Sequence, residues 1–334
     1  MSLSELRKNA QKIVDVAIYS IGPIFIGLAI VLILACIAAY FMIIFPERHP
    51  SLSIGWILDG IFSIYMIYCI GFHYYMAIMT PPGGSLDKRM GAIVGRKNDE
   101  IEGGEEEEGL LGMEEGMVRK PCKKCNLPKP ERAHHCSVCN ACVLKYDHHC
   151  PWIHNCVGHF NHRYFMLFIT YMVLSSAYFV WSGWGVFISS LDFIKPWAYS
   201  YPRALLAFSI ILAMAMGVAL AALGGWHYYL VMTGQTTVEC YNNEYSRRNA
   251  RNSGETFVNP YDFGVRGNLR RFFSISPQYP WYTLFFPIPV PPLGNGKSWE
   301  KSEIWWLNNR SRQVHGSPSR EEERQQHEMS DRSI

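Results

Sequence analysis

Four long uncharged stretches, residues 16–46, 60–80, 164–191 and 204–238, govern what this 334-residue chain can fold into. About 20 helical residues, rising about 1.5 Å each, cross a bilayer core, and every stretch is long enough. Charged residues make up 18% of the chain, against about 25% in an average soluble protein. An ordinary soluble domain is thereby excluded. A disordered chain is excluded too, because aromatic residues reach 14% and such chains are poor in them. Net charge is only +3, too small for a nucleic-acid binder that relies on bulk charge.

The first run is too long for a signal-peptide core and ends without a small-residue cleavage pattern, so it reads as a membrane helix. Positive charge then sets the orientation. Arg7, Lys8 and Lys12 precede the first run, eleven Lys or Arg from Lys88 to Lys145 lie between the second and third, and Arg247, Arg248 and Arg251 follow the fourth. The other two connections carry Arg48, and Lys195 with Arg203. Both termini and the long middle segment are therefore expected in the cytosol. Asp59, near the lumenal end of the second helix, reads as an interfacial carboxylate without special function. Thr80-Pro81-Pro82-Gly83-Gly84 ends that helix. Residues 98–115 contain eight Glu and read as a solvated, flexible acidic linker. The apolar, Pro-rich residues 277–293 fit either a membrane-surface segment or a flexible tail, and from Glu300 onward the chain reads as disordered.

Of ten cysteines, seven fall between Cys122 and Cys156, as Cys122-x2-Cys125, then Cys136-x2-Cys139-x2-Cys142, then Cys150 and Cys156. Histidines 134, 135, 148, 149, 154 and 159 are interleaved. In a reducing cytosol, paired C-x2-C units with histidines read as zinc sites rather than disulfides. A short loop lets one turn supply two thiolates to a tetrahedral ion. Two sites need eight ligands, and the segment offers more than eight. The surplus matters, because a thiol that no metal holds is free to react. Asp147-His148-His149-Cys150 reads as that surplus: an imidazole raises the thiolate fraction, and a carboxylate orients the imidazole. The alternative at this point is that Cys150 is itself a ligand or a packing residue.

These residues carry a resemblance. Lys129-Pro130-x-Arg132-x2-His135-Cys136, Asp147-His148-His149-Cys150-Pro151-Trp152 and Asn155-Cys156-Val157-Gly158 together resemble the cysteine-rich domain of the DHHC protein S-acyltransferases. Thr236-Thr237-Val238-Glu239 is similar to the family's TTxE motif, and Asn259-Pro260-Tyr261, Gly264 and Asn268 to its C-terminal element. The likeness runs from about Ile18 to Phe273. Within the family it is nearest to the Abl-philin-type endoplasmic-reticulum subgroup, through His73-Tyr74-Tyr75 before Thr80-Pro81-Pro82-Gly83 and through Gly294-Asn295-Gly296-x-Ser298-Trp299-Glu300. That implies the endoplasmic reticulum ahead of the Golgi. One departure stands out: the family's Asp-Pro-Gly is here Pro81-Pro82-Gly83, so any role of that aspartate is absent.

The resemblance implies a polytopic α-helical membrane protein: four transmembrane helices with a cytosolic zinc-binding cysteine-rich domain between helices 2 and 3. The divisions are 1–80, an N-terminal segment with two helices; 81–162, the linker and catalytic domain; 163–235, two more helices; and 236–334, the cytosolic C-terminal region. Two structural Zn²⁺ ions are implied, one on Cys122, Cys125, His135 and Cys142, the other on Cys136, Cys139, His149 and Cys156. Cys150 is then the nucleophile, with His148 as its base, Asp147 behind it, and Thr237 bonded near Asp147. Tyr261 and Asn268 are implied to support the site. The implied reaction is ping-pong transfer of palmitoyl, or stearoyl, from long-chain acyl-CoA to cytosolic juxtamembrane cysteines of client proteins. Trp152, Phe165, Phe168 and Ser175 are expected along the acyl chain, with Ser175 leaving room for stearoyl. Two other classes fit less well. A RING-like membrane scaffold does not require the spare Cys150, and an ion transporter needs facing ionisable groups within its helices, where only His73 and His227 occur.

Overall fold

The computed structural model describes residues 3–84, 121–126, 128–194 and 196–314. The acidic stretch 98–115 and the end 315–334 lie outside the described residues. Among the described residues, four helices are long and apolar enough to cross a membrane. The first, α1 (Leu3–Ala39), runs on through a π turn at Tyr40–Ile44 and a last helical turn at Phe45–Arg48. Its 44 residues from Glu5 to Arg48 reach about 66 Å at about 1.5 Å each, roughly twice a bilayer core. Helix therefore starts well before the apolar run. α2 (Ile54–Met79) is capped at Ser53, whose hydroxyl accepts from the Trp56 N–H at 3.2 Å, and stops before Pro81, which has no N–H to continue it. α3 (His162–Ser190) and α4 (Arg203–Met232) complete the set, with α3 packed along both α4 and α2.

At the end remote from the cysteines, Tyr40, Ile44, Phe179, Leu206 and Ile210 form one buried cluster joining α1, α3 and α4. Asp59 is buried beside it, not merely parked at an interface. Tyr40 donates to it at 2.7 Å, Ser63 at 3.3 Å, and Tyr178 donates as well; His49 lies 2.8 Å away and Arg48 3.7 Å. A carboxylate with that many partners is stable without water.

The segment between α2 and α3 folds into two short antiparallel hairpins: β1 (His134–Cys136) with β2 (Ala141–Val143), and β3 (His148–Cys150) with β4 (Asn155–Val157). Beyond α4 come α5 (Thr237–Asn252), α6 (Gly264–Phe272) and α7 (Glu303–Val314). Residues 277–293 do not form a loose tail. They strap α3, with Arg163 donating to Thr283 O at 3.2 Å, Tyr171 to Leu284 O at 3.0 Å and Tyr164 to Val290 O at 3.1 Å. The disorder expected after Glu300 is likewise corrected over 303–314, which is helical. Ser302 anchors it: its N–H donates to Pro260 O at 2.7 Å, and its hydroxyl accepts from Trp305 N at 3.4 Å.

Candidate active site and metal centres

The hairpins explain how neighbouring residues serve different centres. Successive strand residues point to opposite faces. In β1–β2, His135 stands directly opposite Cys142, and in β3–β4, His149 stands opposite Cys156. Each such pair belongs to one donor set. Cys122, Cys125, His135 and Cys142 bring four donor atoms within 4.8 Å of one another, and so do Cys136, Cys139, His149 and Cys156. In the first set, His135 Nδ1 lies 3.2 Å from Cys125 Sγ and 3.7 Å from Cys122 Sγ. In the second, His149 Nδ1 lies 3.3 Å from Cys139 Sγ and 3.6 Å from Cys156 Sγ. Bonds of about 2.0–2.3 Å to a central tetrahedral ion give ligand separations of this size. Three thiolates and one imidazole suit Zn²⁺, and both sets are closed, with no open position for a substrate. His135 and His149 each keep Nε2 buried and unpartnered.

The opposite face of β3 carries His148 and Cys150. Cys150 belongs to neither donor set and is buried among Tyr74, Ala77, Ile153, Val157, Phe165 and Ile169. His148 Nδ1 lies 2.7 Å from Asp147 Oδ2. Asp147 is 1% exposed. It also accepts from Thr237 N–H at 2.8 Å and from Thr237 Oγ1 at 2.9 Å. Burial opposes charge on Asp147, but the hydrogen bond from His148 and the nearby imidazoles of His162 and His227 hold its carboxyl well below the usual carboxylate range. Burial likewise opposes charge on His148; its contacts with Asp147 and Cys150 outweigh that and raise it to about 9. The arrangement is an imidazole held between a carboxylate and a thiol, able to take the thiol's proton.

Behind Asp147 sit two histidines with no role in the sequence reading, His162 and His227, the latter with Nδ1 3.9 Å from Asp147 Oδ2. Together the three bring donor atoms within 4.8 Å. Asp147 Oδ2 is already engaged by His148 and Thr237, so the trio reads as the packed rear of the carboxylate rather than a third metal centre.

The Thr-Thr-x-Glu sequence does three jobs in four residues. Thr236 caps α5, accepting from Glu239 N–H while Glu239 returns the bond to Thr236 N–H. Thr237 holds Asp147. Glu239 receives Arg132 Nε and Nη2, each at 2.6 Å. Sequence reasoning quoted Glu239 and Arg132 without giving either a role, although the capping-box spacing could have placed the glutamate. Asn155 was likewise quoted without a role, and Asn161 was not singled out. Asn155 donates to Ile78 O and Thr80 O, each at 3.1 Å, satisfying carbonyls at the end of α2. Asn161 donates to Cys156 O at 2.8 Å and accepts from Gly158 N–H at 2.9 Å.

Among the residues expected along an acyl chain, Phe165 lies edge-on to His148, 5.2 Å between ring centres, and Phe168 stacks on Tyr74 at 4.6 Å. Trp152 is 40% exposed, with its ring 4.9 Å from Phe25 of α1 and its carbonyl accepting from Tyr74 OH at 2.7 Å. Ser175 is farther along α3, outside the cluster around Cys150, with its hydroxyl buried and unpartnered. Tyr261 donates to Glu131, and the Arg132 guanidinium lies 4.1 Å over its ring. Asn268 is buried and donates to Met232 O at 2.8 Å, tying α6 to the end of α4.

A family model described as DHHC palmitoyltransferase matches residues 115–244. Palmitoyltransferase ZDHHC16 of Mus musculus is 33% identical over 300 residues, which cover 86% of this chain and 76% of the relative. The Homo sapiens protein of the same name is 32% identical over 316 residues, covering 86% and 78%. The putative ZDHHC-type palmitoyltransferase 4 of Dictyostelium discoideum is 32% identical over 280 residues, covering 82% and 74%. Likeness of this extent, over a chain with four membrane-length helices and two zinc-capable Cys/His centres, means that the protein belongs to the DHHC palmitoyltransferase family and is a protein S-acyltransferase.

Proposed function

We propose that the chain transfers a long-chain acyl group, palmitoyl or stearoyl, from acyl-CoA to client cysteines through an acyl-Cys150 intermediate. The observation that carries this reading is the Asp147–His148 pair at 2.7 Å beside a buried thiol that neither metal set uses. With Nδ1 engaged by Asp147, His148 presents Nε2 to Cys150 and takes its proton. The thiolate adds to the thioester carbonyl carbon, the carbon–sulfur bond to CoA breaks, and CoA leaves as a thiol with the proton from His148. In the second half, His148 takes the proton of the client thiol, which attacks the Cys150 thioester and restores the free enzyme. Zinc held by the two sets would stiffen the strands that carry these residues and supply a structural role only.

The same reading puts the metal domain and both termini in the cytosol, within an endoplasmic-reticulum membrane, and makes clients proteins with cytosolic cysteines near the bilayer. A palmitoyl chain gains about 0.8 kcal/mol per methylene buried in lipid, so a nucleophile at the membrane surface meets its donor there. Phe165, Phe168 and Trp152 would flank the first carbons, and Ser175 the far end. Purified protein given radiolabelled palmitoyl-CoA is expected to acquire a hydroxylamine-sensitive label that Cys150→Ser abolishes. A label that survives the substitution would sink the assignment.

A further inference from the structure

A cavity of about 270 Å³ lies between the metal domain, the start of α3, the end of α4, α6 and residues 290–300. Cys150 and His148 are not on its wall. Arg132, Lys145, Arg163 and Arg271 are, and Glu300 is the carboxylate that lines it among the described residues. Two of these cations are matched: Arg132 by Glu239 at 2.6 Å and Arg271 by Glu300 at 2.9 Å. The other two have no carboxylate within ion-pair distance among the described residues. Arg163 Nη2 donates to Thr283 O and Oγ1 at 3.2 and 3.3 Å, while its Nε and Nη1 are buried without an acceptor. The Lys145 ammonium sits 5.1 Å from the Phe272 ring centre and 5.6 Å from that of Trp299, and Trp299 Nε1 is itself buried without an acceptor.

Lys145 is thus a half-buried ammonium with aromatic faces where an anion would normally be. Burial, then the Arg132 charge, push it down to about 7. Burial and the Lys145 charge likewise push neighbouring His159 down to about 4. A second positive group therefore adds nothing to neutralise the first. Unmatched buried cations and donors are strongly disfavoured unless something accepts from them. A tetrahedral phosphate offers several acceptors and two negative charges, and guanidinium N–H groups suit it. The cavity has room for a phosphate and a short organic stub, with Phe160, Val290 and Leu293 supplying apolar wall.

We propose that this cavity binds a phosphomonoester group on Lys145, Arg163 and Trp299, at a site separate from the acyl-accepting cysteine. Arg163 stands at the first turn of a membrane-length helix, the depth at which a lipid phosphate would lie.

The test uses full-length, metal-loaded protein and reads its Tm, so it is independent of acyl transfer. The ligands are inorganic phosphate, CoA, and phosphatidic acid in phosphatidylcholine nanodiscs, against phosphatidylcholine alone. At least one phosphomonoester is expected to raise Tm by several degrees. Lys145→Met keeps the bulk and removes the charge; its ligand-free Tm is expected close to that of the parent, with the ligand shift lost. Trp299→Phe removes one N–H and is expected to weaken the apparent affinity about tenfold. A shift confined to phosphatidic acid identifies a lipid headgroup, and a shift with phosphate or CoA a soluble source. No shift in any arm, or shifts that persist in both variants, would overturn the proposal.

Discussion

Neutralising Glu239 tests how the metal domain is fastened to the membrane helices. Arg132 reaches both carboxylate oxygens at 2.6 Å, and the two side chains are 6% and 11% exposed. Breaking a buried, hydrogen-bonded pair from one side costs about 3–5 kcal/mol, because the remaining charge stays buried alone. Here Arg132 would retain the Gly234 carbonyl at 3.2 Å and the Tyr261 ring at 4.1 Å, which favours the lower figure. Glu239→Gln keeps the volume and one acceptor for the Thr236 N–H, so the cap of α5 survives. About 3 kcal/mol is roughly a hundredfold in the equilibrium between docked and undocked metal domain. Thr237 lies two residues before Glu239 and holds Asp147, so undocking also frees the carboxylate behind His148. Acyl transfer to Cys150 is therefore expected to fall by one to two orders of magnitude with metal content unchanged, and Tm by several degrees. The check is a double-mutant cycle with Arg132→Gln, read by Tm and by labelled palmitoyl transfer. Additive single effects, or a Tm within about one degree of the parent, would refute the reasoning.

Cys139→Ser is expected to lower zinc content and expose the metal domain to protease, whereas Cys150→Ser should do neither; zinc analysis and limited proteolysis decide, and zinc release by Cys150→Ser would break the ligand assignment. His148→Ala should slow self-acylation at least tenfold with both ions bound, while His149→Ala loses metal; equal metal loss in the two would remove the division of labour. Ser175→Tyr should shift preference toward shorter acyl-CoA without slowing myristoyl transfer, and an unchanged profile across myristoyl, palmitoyl and stearoyl donors would take Ser175 out of the chain's path. A Cβ on Gly22 of α1 would stand 2.0 Å from His154 Nδ1, so Gly22→Val should push α1 off the turn at Pro151–Ile153 and slow acylation several-fold while sparing the metals; an unaffected rate would show that this contact is dispensable.

The membrane helices were legible because they depend on one local property, the absence of charge over about 20 residues. The metal domain was legible as a zinc-capable segment from spacing, but the division of ligands into two sets came from the family resemblance. Spacing alone left Cys150 open as a ligand. Strand register bears on it, with His149 opposite Cys156 and Cys150 opposite Asn155, and strands of three residues leave almost no sequence signal. The misread parts all depend on distant partners. Asp59 was read as an interfacial carboxylate, yet it is buried and Tyr178, 119 residues away, donates to it. For residues 277–293 the flexible-tail alternative stayed open because Tyr164 and Arg163, which hold them, lie more than a hundred residues earlier. The helix at 303–314 depends on Ser302 reaching Pro260. Composition registers none of these contacts.

The interleaving of the two centres also governs how Cys150, the proposed nucleophile, is held. β1 gives His135 to one set and Cys136 to the other, on opposite faces, so each set grips the same strand from its own side. β3 gives His149 to the second set while His148 and Cys150 project the other way. The second centre therefore fixes β3 by a residue lying between the base and the nucleophile, and through Cys156 it fixes β4 as well. Displacing the ligands of the first set disturbs β1 and with it Cys136, so loss of one ion weakens the other centre. On the proposed mechanism, zinc bound in these sets would govern acyl transfer without touching a reacting atom. It would remove the freedom of a three-residue strand that has little apolar burial of its own, and Asp147, tied from the other direction by Thr237, would need that strand to stay in place for His148 to span the distance to Cys150.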